Sequence, residues 1–204
     1  MSPHSPYELA ASRLIKLARQ KGILRASDAT AVNVPRAVLG RMVENGDLVR
    51  LGRGLYVTAG TDLSGHAALA LVQKRVPRGV ICLLSALEFH GITTQAPAEV
   101  WVAIESKAWR PSVEYPPMRV IYASGEALEH GVETHTIDGQ SVRLTSPAKT
   151  VADCFKYRNK IGLDVAIEAL RDFRRKRGNM DALWRAAKAD RVATVIRPYL
   201  EAIT

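Results

Sequence analysis

Residues 22–57 read GILRASDATAVNVPRAVLGRMVENGDLVRLGRGLYV, and the breaks in this stretch decide how the N-terminal part of the chain folds. Ser27 stands where a side-chain oxygen caps a short helix through Val32. Asn33-Val34-Pro35 interrupts that helix, and Pro35 suits the first turn of a second one over about residues 35–44. In the second helix Val38, Leu39, Met42 and Val43 recur at helical spacing and form its inward face, and Asn45-Gly46 stops it. Residues 48–51 and 55–57 then read as two strands around Gly52-Arg53-Gly54, whose glycines are free to take positive φ. Upstream, YELAASRLIKLARQ at 7–20 sets Ala10, Leu14, Leu17 and Ala18 on one stripe of a further helix, ended by Gly22. Helix, helix, turn, helix and hairpin is the order of a winged helix-turn-helix, which the reading assigns to residues 1–60.

The face of the 35–44 helix left outside this core carries Arg36, Ala37, Gly40 and Arg41. Small residues between two arginines let a helix approach a duplex closely, and an α-helix fits the major groove. Arg36 is near the helix N-terminus, the end that enters deepest in such docking. Each arginine suits a bidentate contact to guanine or a phosphate contact. Arg50 and Arg53 belong to the hairpin, with Arg53 at a glycine-flanked tip, and Lys16, Arg19 and Lys21 are candidate backbone anchors from the first helix. These nine positions are the candidate DNA-binding residues. The bland alternative is that the same charges only solubilise a small helical domain.

Composition is compatible with that partner. The 204 residues carry 47% hydrophobic and 24% charged residues and a formal net charge of +9. This is enough apolar content for a buried core, and the excess positive charge suits a polyanion. The charge is uneven. Residues 1–60 hold nine Lys/Arg against four Asp/Glu, residues 79–147 hold four against eight, and residues 148–204 hold thirteen against seven. Two basic ends flank an acidic middle. Cys82 and Cys154 both sit in apolar helical patterns, the five His are scattered, and neither set has metal-ligand spacing, so no cofactor or metal is expected. Arg13, Lys16 and Arg19 interrupt the first apolar stretch, so it does not read as a signal peptide, and no run is long enough to span a membrane. A reducing, cytoplasmic location is the expectation.

Beyond a linker at 58–62, the chain reads as α+β through residues 61–204, with a small sheet and a helical C-terminal third. Helices are expected over about 64–76, with Ser64 as cap, and over 81–90. Strands are expected at 100–104, 119–123, 132–137 and 141–144, the last two joined around Asp138-Gly139. One helical turn is expected at 126–129. Ser146 and Pro147 open a helix in which Val151, Ala152 and Phe155 face inward. Further helices follow over about 163–177, ended by Gly178, from Asn179 or Asp181 through 189, and over 192–203 with a kink or restart at Pro198. Lys149, Asp153, Lys156 and Lys160 fall on one helical face at steps of four, three and four, either as a polar contact surface or as an ion-pair ladder. Arg171, Arg174 and Arg175 crowd the end of the 163–177 helix, where they extend a DNA footprint or simply complement the helix dipole.

The stretch at 22–57 resembles the winged domain of AbiEi-type antitoxins. Three later segments resemble that family's C-terminal region: GVICLLSALEFHGITTQAP at 79–97, VWVAI at 100–104 and TSPAKTVADCFKYRNKIGLDVAIEALRDF at 145–173. One departure is Pro35, where family members often begin the recognition helix with Ser or Thr. The resemblance implies an antitoxin and autorepressor of a bacterial type IV toxin–antitoxin, or phage abortive-infection, operon. It implies a winged domain binding inverted repeats in promoter DNA, as two protomers there or a monomer in solution. It further implies a C-terminal antitoxin domain acting against a nucleotidyltransferase-like toxin, with or without direct contact. No enzymatic activity is expected.

Two other readings stand beside this one. A plain transcriptional repressor would use the C-terminal domain to sense a ligand or protein. A Mg²⁺-dependent nuclease would use Glu99, Glu105 and Lys107 around the 100–104 strand, which requires carboxylates converging on one metal. Ser85 and His90, five residues apart in a helix, do not make a nucleophile and base.

Overall fold

A computed structural model describes residues 6–61, 64–113 and 115–202. Asp62 of the expected linker and Ile203 at the expected end of the last helix lie outside the described residues. The chain divides into two compact units, residues 1–67 with 136–140, and residues 68–135 with 141–204.

The first unit runs α1 (Pro6–Lys21), β1 (Leu24–Arg25), α2 (Ala26–Ala31), α3 (Arg36–Glu44), β2 (Leu48–Gly52) and β3 (Leu55–Thr58). The strands form an antiparallel sheet in the order β1-β3-β2, with Leu24 opposite Tyr56 and Val49 opposite Val57. This is a winged helix-turn-helix with a three-stranded sheet. Leu14 and Ala18 of α1, Ala29 of α2, Leu39 and Met42 of α3, and Leu24 and Leu48 from the strands form its core. Two local expectations change. Ser27 does not cap α2, because β1 carries the chain extended up to Arg25 and the helix starts at once. Asp28 instead accepts the Arg25 backbone N–H at 2.7 Å. Pro35 stands just before α3, with ψ of 140°, and Asn33 makes the preceding turn at φ 57°. β1 escapes sequence reading because two residues carry no period; its pairing with β3 defines it.

The second unit contains α4 (Ala67–Arg75), β4 (Val80–Ile81), α5 (Leu83–His90), β5 (Val100–Glu105), β6 (Met118–Ala123), α6 (Glu126–Glu129), β7 (Val132–Ile137) and β8 (Gln140–Thr145). Then come α7 (Pro147–Lys156), α8 (Arg158–Ile161), α9 (Leu163–Arg175), α10 (Met180–Ala189) and α11 (Ala193–Ala202). Its five strands lie in the order β6-β5-β4-β8-β7, with β4 antiparallel to β5 and parallel to β8. The shortest strand is therefore central. Ile81, read from sequence as the start of a helix, is a strand residue. The chain is still extended at Cys82 and turns into α5 at Leu83, whose φ is 48°. α9 closes with Arg177 in the left-handed region at φ 56°, while Gly178 packs so tightly on the Phe173 ring that a Cβ would overlap it.

α7 is the centre of this unit. Ser146 caps it by accepting the Lys149 N–H at 3.3 Å, and Pro147 follows at the first helical position. Residues 148–155 are all buried, which marks a helix enclosed by protein on every side. Val151, Ala152 and Phe155 pack with Leu83 and Leu87 of α5, Leu170 and Phe173 of α9, and Leu183 of α10. The same helix buries a charge. The Lys149 side chain is fully enclosed, and its Nζ donates to Asp153 Oδ1 one turn on and to Asp190 Oδ2 at 2.8 Å after α10. Lys156 Nζ reaches Asp190 Oδ1 at 3.2 Å from the rim. Removing one partner of a buried pair leaves an uncompensated charge in low dielectric. Asp190→Ala is therefore expected to destabilise the chain by about 3–5 kcal/mol, measured by urea denaturation.

Candidate nucleic-acid interface

α3 presents its surface by default of its core. Leu39 and Met42 are 1% and 0% exposed and hold the helix down, with Val38 and Val43 half-buried at their flanks. Helical geometry then turns Arg36, Ala37, Gly40 and Arg41 outward, and all four are exposed. A Cβ added at Gly40 meets nothing within 4 Å, so no packing inside the protein requires glycine there. The Arg41 guanidinium lies 5.9 Å from the centroid of the Tyr7 ring, which restrains it beside the start of α1. Tyr7 in turn accepts a hydrogen bond from Asn45 Nδ2 at 3.0 Å, tying the C-terminal half of α3 to α1.

The wing places Arg50 and Arg53 outward, with Arg53 in the two-residue turn and only Gly54, at φ 66°, using the left-handed region. A bulge between Arg50 and Gly52 interrupts the register of β2 with β3, and Arg50 Nε donates to the Gly52 carbonyl at 3.4 Å. Lys16 and Arg19 are exposed on α1. Lys21 is engaged differently: its Nζ is 2.6 Å from Asp28 Oδ1 and fastens the end of α1 to α2, so its charge is already partnered. Arg13 is a residue the sequence reading passed over. It is exposed and shares with Arg41, Asn33 and Pro35 a groove of about 440 Å³ beside the start of α3. Its spacing of three from Lys16 was the available signal.

The second unit corrects the other candidate surface. Lys149 and Asp153, expected on an accessible polar face with Lys156 and Lys160, are buried and belong to the ion-pair network with Asp190. They are not available to a partner. The i,i+4 ladder is real for that pair alone. The helix ends at Lys156, so Lys160 falls on the separate turn α8, exposed, with its Nζ 5.6 Å from the Tyr157 ring centroid. Arg171 and Arg175 are exposed and Arg174 is half-buried; Arg175 pairs with Asp172 at 3.0 Å. Asp190 had no sequence signal, because it lies 41 residues from the lysine it neutralises.

Burial pushes the Asp153 carboxyl up to about 7, opposed by Lys149 and reinforced by the neighbouring Asp190. Burial also raises both Cys82 and Cys154 thiols, which keeps them protonated and unreactive. Burial lowers His90, whose Nε2–H donates to the Thr145 carbonyl at 2.8 Å. Ser85 Oγ accepts the Trp101 backbone N–H at 3.0 Å and is structural.

The nuclease reading fails on geometry. Glu99 precedes β5 and Glu105 ends it, which separates them by about 20 Å along an extended strand. Glu99 is paired with Arg119 at 3.0 Å, and Glu105 accepts the Ser106 N–H and hydroxyl. Among the described residues no group of three His, Cys, Asp or Glu could hold a metal ion. No helix among them is long and apolar enough to cross a membrane.

Gly40→Ala is expected to raise stability by about 0.5–1 kcal/mol, since alanine is the better helix former and the site is open. Thermal unfolding checks it. A raised Asp153 pKa means that its contribution to stability is complete below pH 3.8 and is lost as pH rises through about 7. Wild type should thus lose stability relative to Asp153→Asn between about pH 4 and pH 7, measured by paired urea titrations.

Residues 12–59 match the family described as the AbiEi antitoxin transcriptional regulator, a span running from α1 to the end of β3. No curated protein matches the chain. The similarity to the AbiEi antitoxin transcriptional regulators is thus carried by the N-terminal segment.

Proposed function

We propose that this chain is the antitoxin and autorepressor of a type IV toxin–antitoxin operon, and that α3 reads promoter DNA in the major groove. The observation that carries this reading is the outward face of α3, where Arg36 and Arg41 flank Ala37 and Gly40 with no bulky side chain between them. Such a face lets the helix backbone come close to the base edges, with guanidinium groups in reach of guanine O6 and N7. The wing arginines Arg50 and Arg53 take phosphate or minor-groove contacts, and Lys16, Arg19 and Arg13 steady the duplex backbone from α1. Lys21 has the weakest claim because Asp28 holds its ammonium. Residues 1–60 act as the repressor domain. Residues 61–204 act as the antitoxin domain against a nucleotidyltransferase-like toxin, with Arg171, Arg174, Arg175, Lys156 and Lys160 as its remaining candidate surface. On inverted repeats two protomers bind half-sites about 34–36 Å apart, or a multiple of that.

Arg36, Arg41 and Arg53 changed together to Ala should weaken promoter binding by at least about tenfold, at about 1–3 kcal/mol for each bidentate base contact. The slope of log K against log salt should fall by about 0.9 for each phosphate that the variant no longer neutralises. Gly40→Ala should weaken the same binding while it stabilises the protein. A gel-shift series on the promoter region checks all three, and unchanged affinity in both variants defeats the assignment. Co-expression of the adjacent gene with the full chain tests antitoxin activity separately.

A further inference from the structure

The second unit carries a basic cleft that neither the winged unit nor the buried network uses. It lies between α10 and α11, has a volume of about 540 Å³, and is lined by Asp181, Trp184, Arg185, Lys188, Ala193 and Arg197. Arg185, Lys188 and Arg197 are exposed, and Asp181 is the one carboxylate among the lining residues. None of the three cations has an ion-pair partner among the described residues, in contrast to Arg119, Arg143 and Arg175 of the same unit. Trp184 is partly buried against the core, and the Arg197 guanidinium lies 5.9 Å from its ring centroid. An indole fixed by its packing and a guanidinium plane beside it are both surfaces on which a base stacks.

Lys188 also lines a second space of about 520 Å³, together with Lys156, Arg191 and the exposed carboxylate of Glu126. Asp190 also borders this space, but both of its oxygens are taken by Lys149 and Lys156. The buried network thereby sets the Lys156 ammonium at the wall. Arg185, Lys188, Arg197, Lys156 and Arg191 thus outnumber the carboxylates Asp181, Glu126 and Asp190 around two spaces that share Lys188, each large enough for a nucleotide-sized group, with an aromatic ring in one of them. Positive charge along a track with a stacking platform beside it is the chemistry of a single-stranded nucleic acid site, because an unpaired base exposes its face and a paired one does not.

We propose that the α10–α11 cleft binds single-stranded nucleic acid, with a base stacked at Trp184 and its flanking phosphates held by Arg185, Lys188 and Arg197. Such binding is separate from duplex recognition by α3. It gives the second unit a nucleic-acid ligand of its own.

The test uses the full chain with Arg13, Lys16, Arg19, Arg36, Arg41, Arg50 and Arg53 changed to Ala, which removes the exposed cations assigned to the winged unit's duplex contact. Fluorescence anisotropy follows fluorescein-labelled 12-mers of oligo(U) and oligo(dT), and a 12-bp duplex, from about 50 to 200 mM salt. Both single strands, or one of them in preference, should bind more tightly than the duplex. Trp184→Leu should weaken the single strands about 5- to 150-fold, and Trp184→Phe should retain most of the affinity. Arg185, Lys188 and Arg197 changed together to Ala should flatten the salt slope by about 0.7 for each phosphate no longer held. These three side chains are exposed, so that variant reports on binding even if Trp184→Leu impairs folding. Single strands that fail to bind at the lowest salt, or a basic triple variant with unchanged affinity and slope, overturn the proposal. So does a duplex bound as tightly as the single strands.

Discussion

The burial of Leu39 and Met42, three residues apart on one helix, is the constraint on which the readable surface of this protein depends. Both side chains are enclosed with Leu14, Ala18 and Leu48, and fully burying a side chain of this kind contributes about 1.5–3 kcal/mol. Rotating α3 about its axis would bring these residues into water and carry Arg36 or Arg41 into the core. Each direction is costly, so the angular position of the arginines is set by the apolar residues opposite them. Nothing about the arginines themselves fixes where they point. The winged unit is thus a small core with a surface determined as its remainder, and the tie between Tyr7, Asn45 and Arg41 adds local definition.

The second unit solves a different problem. Its central helix α7 is enclosed along residues 148–155, yet it carries Lys149 and Asp153. A buried ammonium survives only if its donors are met, and here two carboxylates meet it from different positions in the chain. The pairing specifies which turn of α7 faces the end of α10, something apolar contacts with their tolerance for sliding define less sharply. It also fixes Lys156 through Asp190 at the rim, next to the exposed cations of α10 and of the turn that follows. Packing in the interior and charge at the surface are connected through that one aspartate.

Both halves of the fold show where local patterns suffice. The α3 face, the wing turn, the Ser146 cap with Pro147 behind it and the Asp138-Gly139 hairpin were all legible, because each rests on residues within one or two turns of each other. The misplaced features share an opposite property. Ser27 failed as a cap because a two-residue strand runs up to Arg25, and that strand exists only through its pairing with β3. Ile81 failed as a helix start because it lies in the middle of a sheet whose other strands come from residues 100–105, 118–123 and 132–145.

The sequence by itself determined which residues α3 turns outward, since period and hydrophobicity along nine residues fix a helical face. It also determined the order of elements that makes the N-terminal unit a winged helix-turn-helix. Only the tertiary structure decided the fate of the charged ladder at 149–160. An i,i+4 lysine and aspartate look the same on a solvated helix as on a buried one. The difference is Asp190, 41 residues away, which supplies the second carboxylate that makes burial of Lys149 tolerable. The α10–α11 cleft belongs with it, because Trp184 and Arg197 lie on different helices and become one surface only when those helices pack.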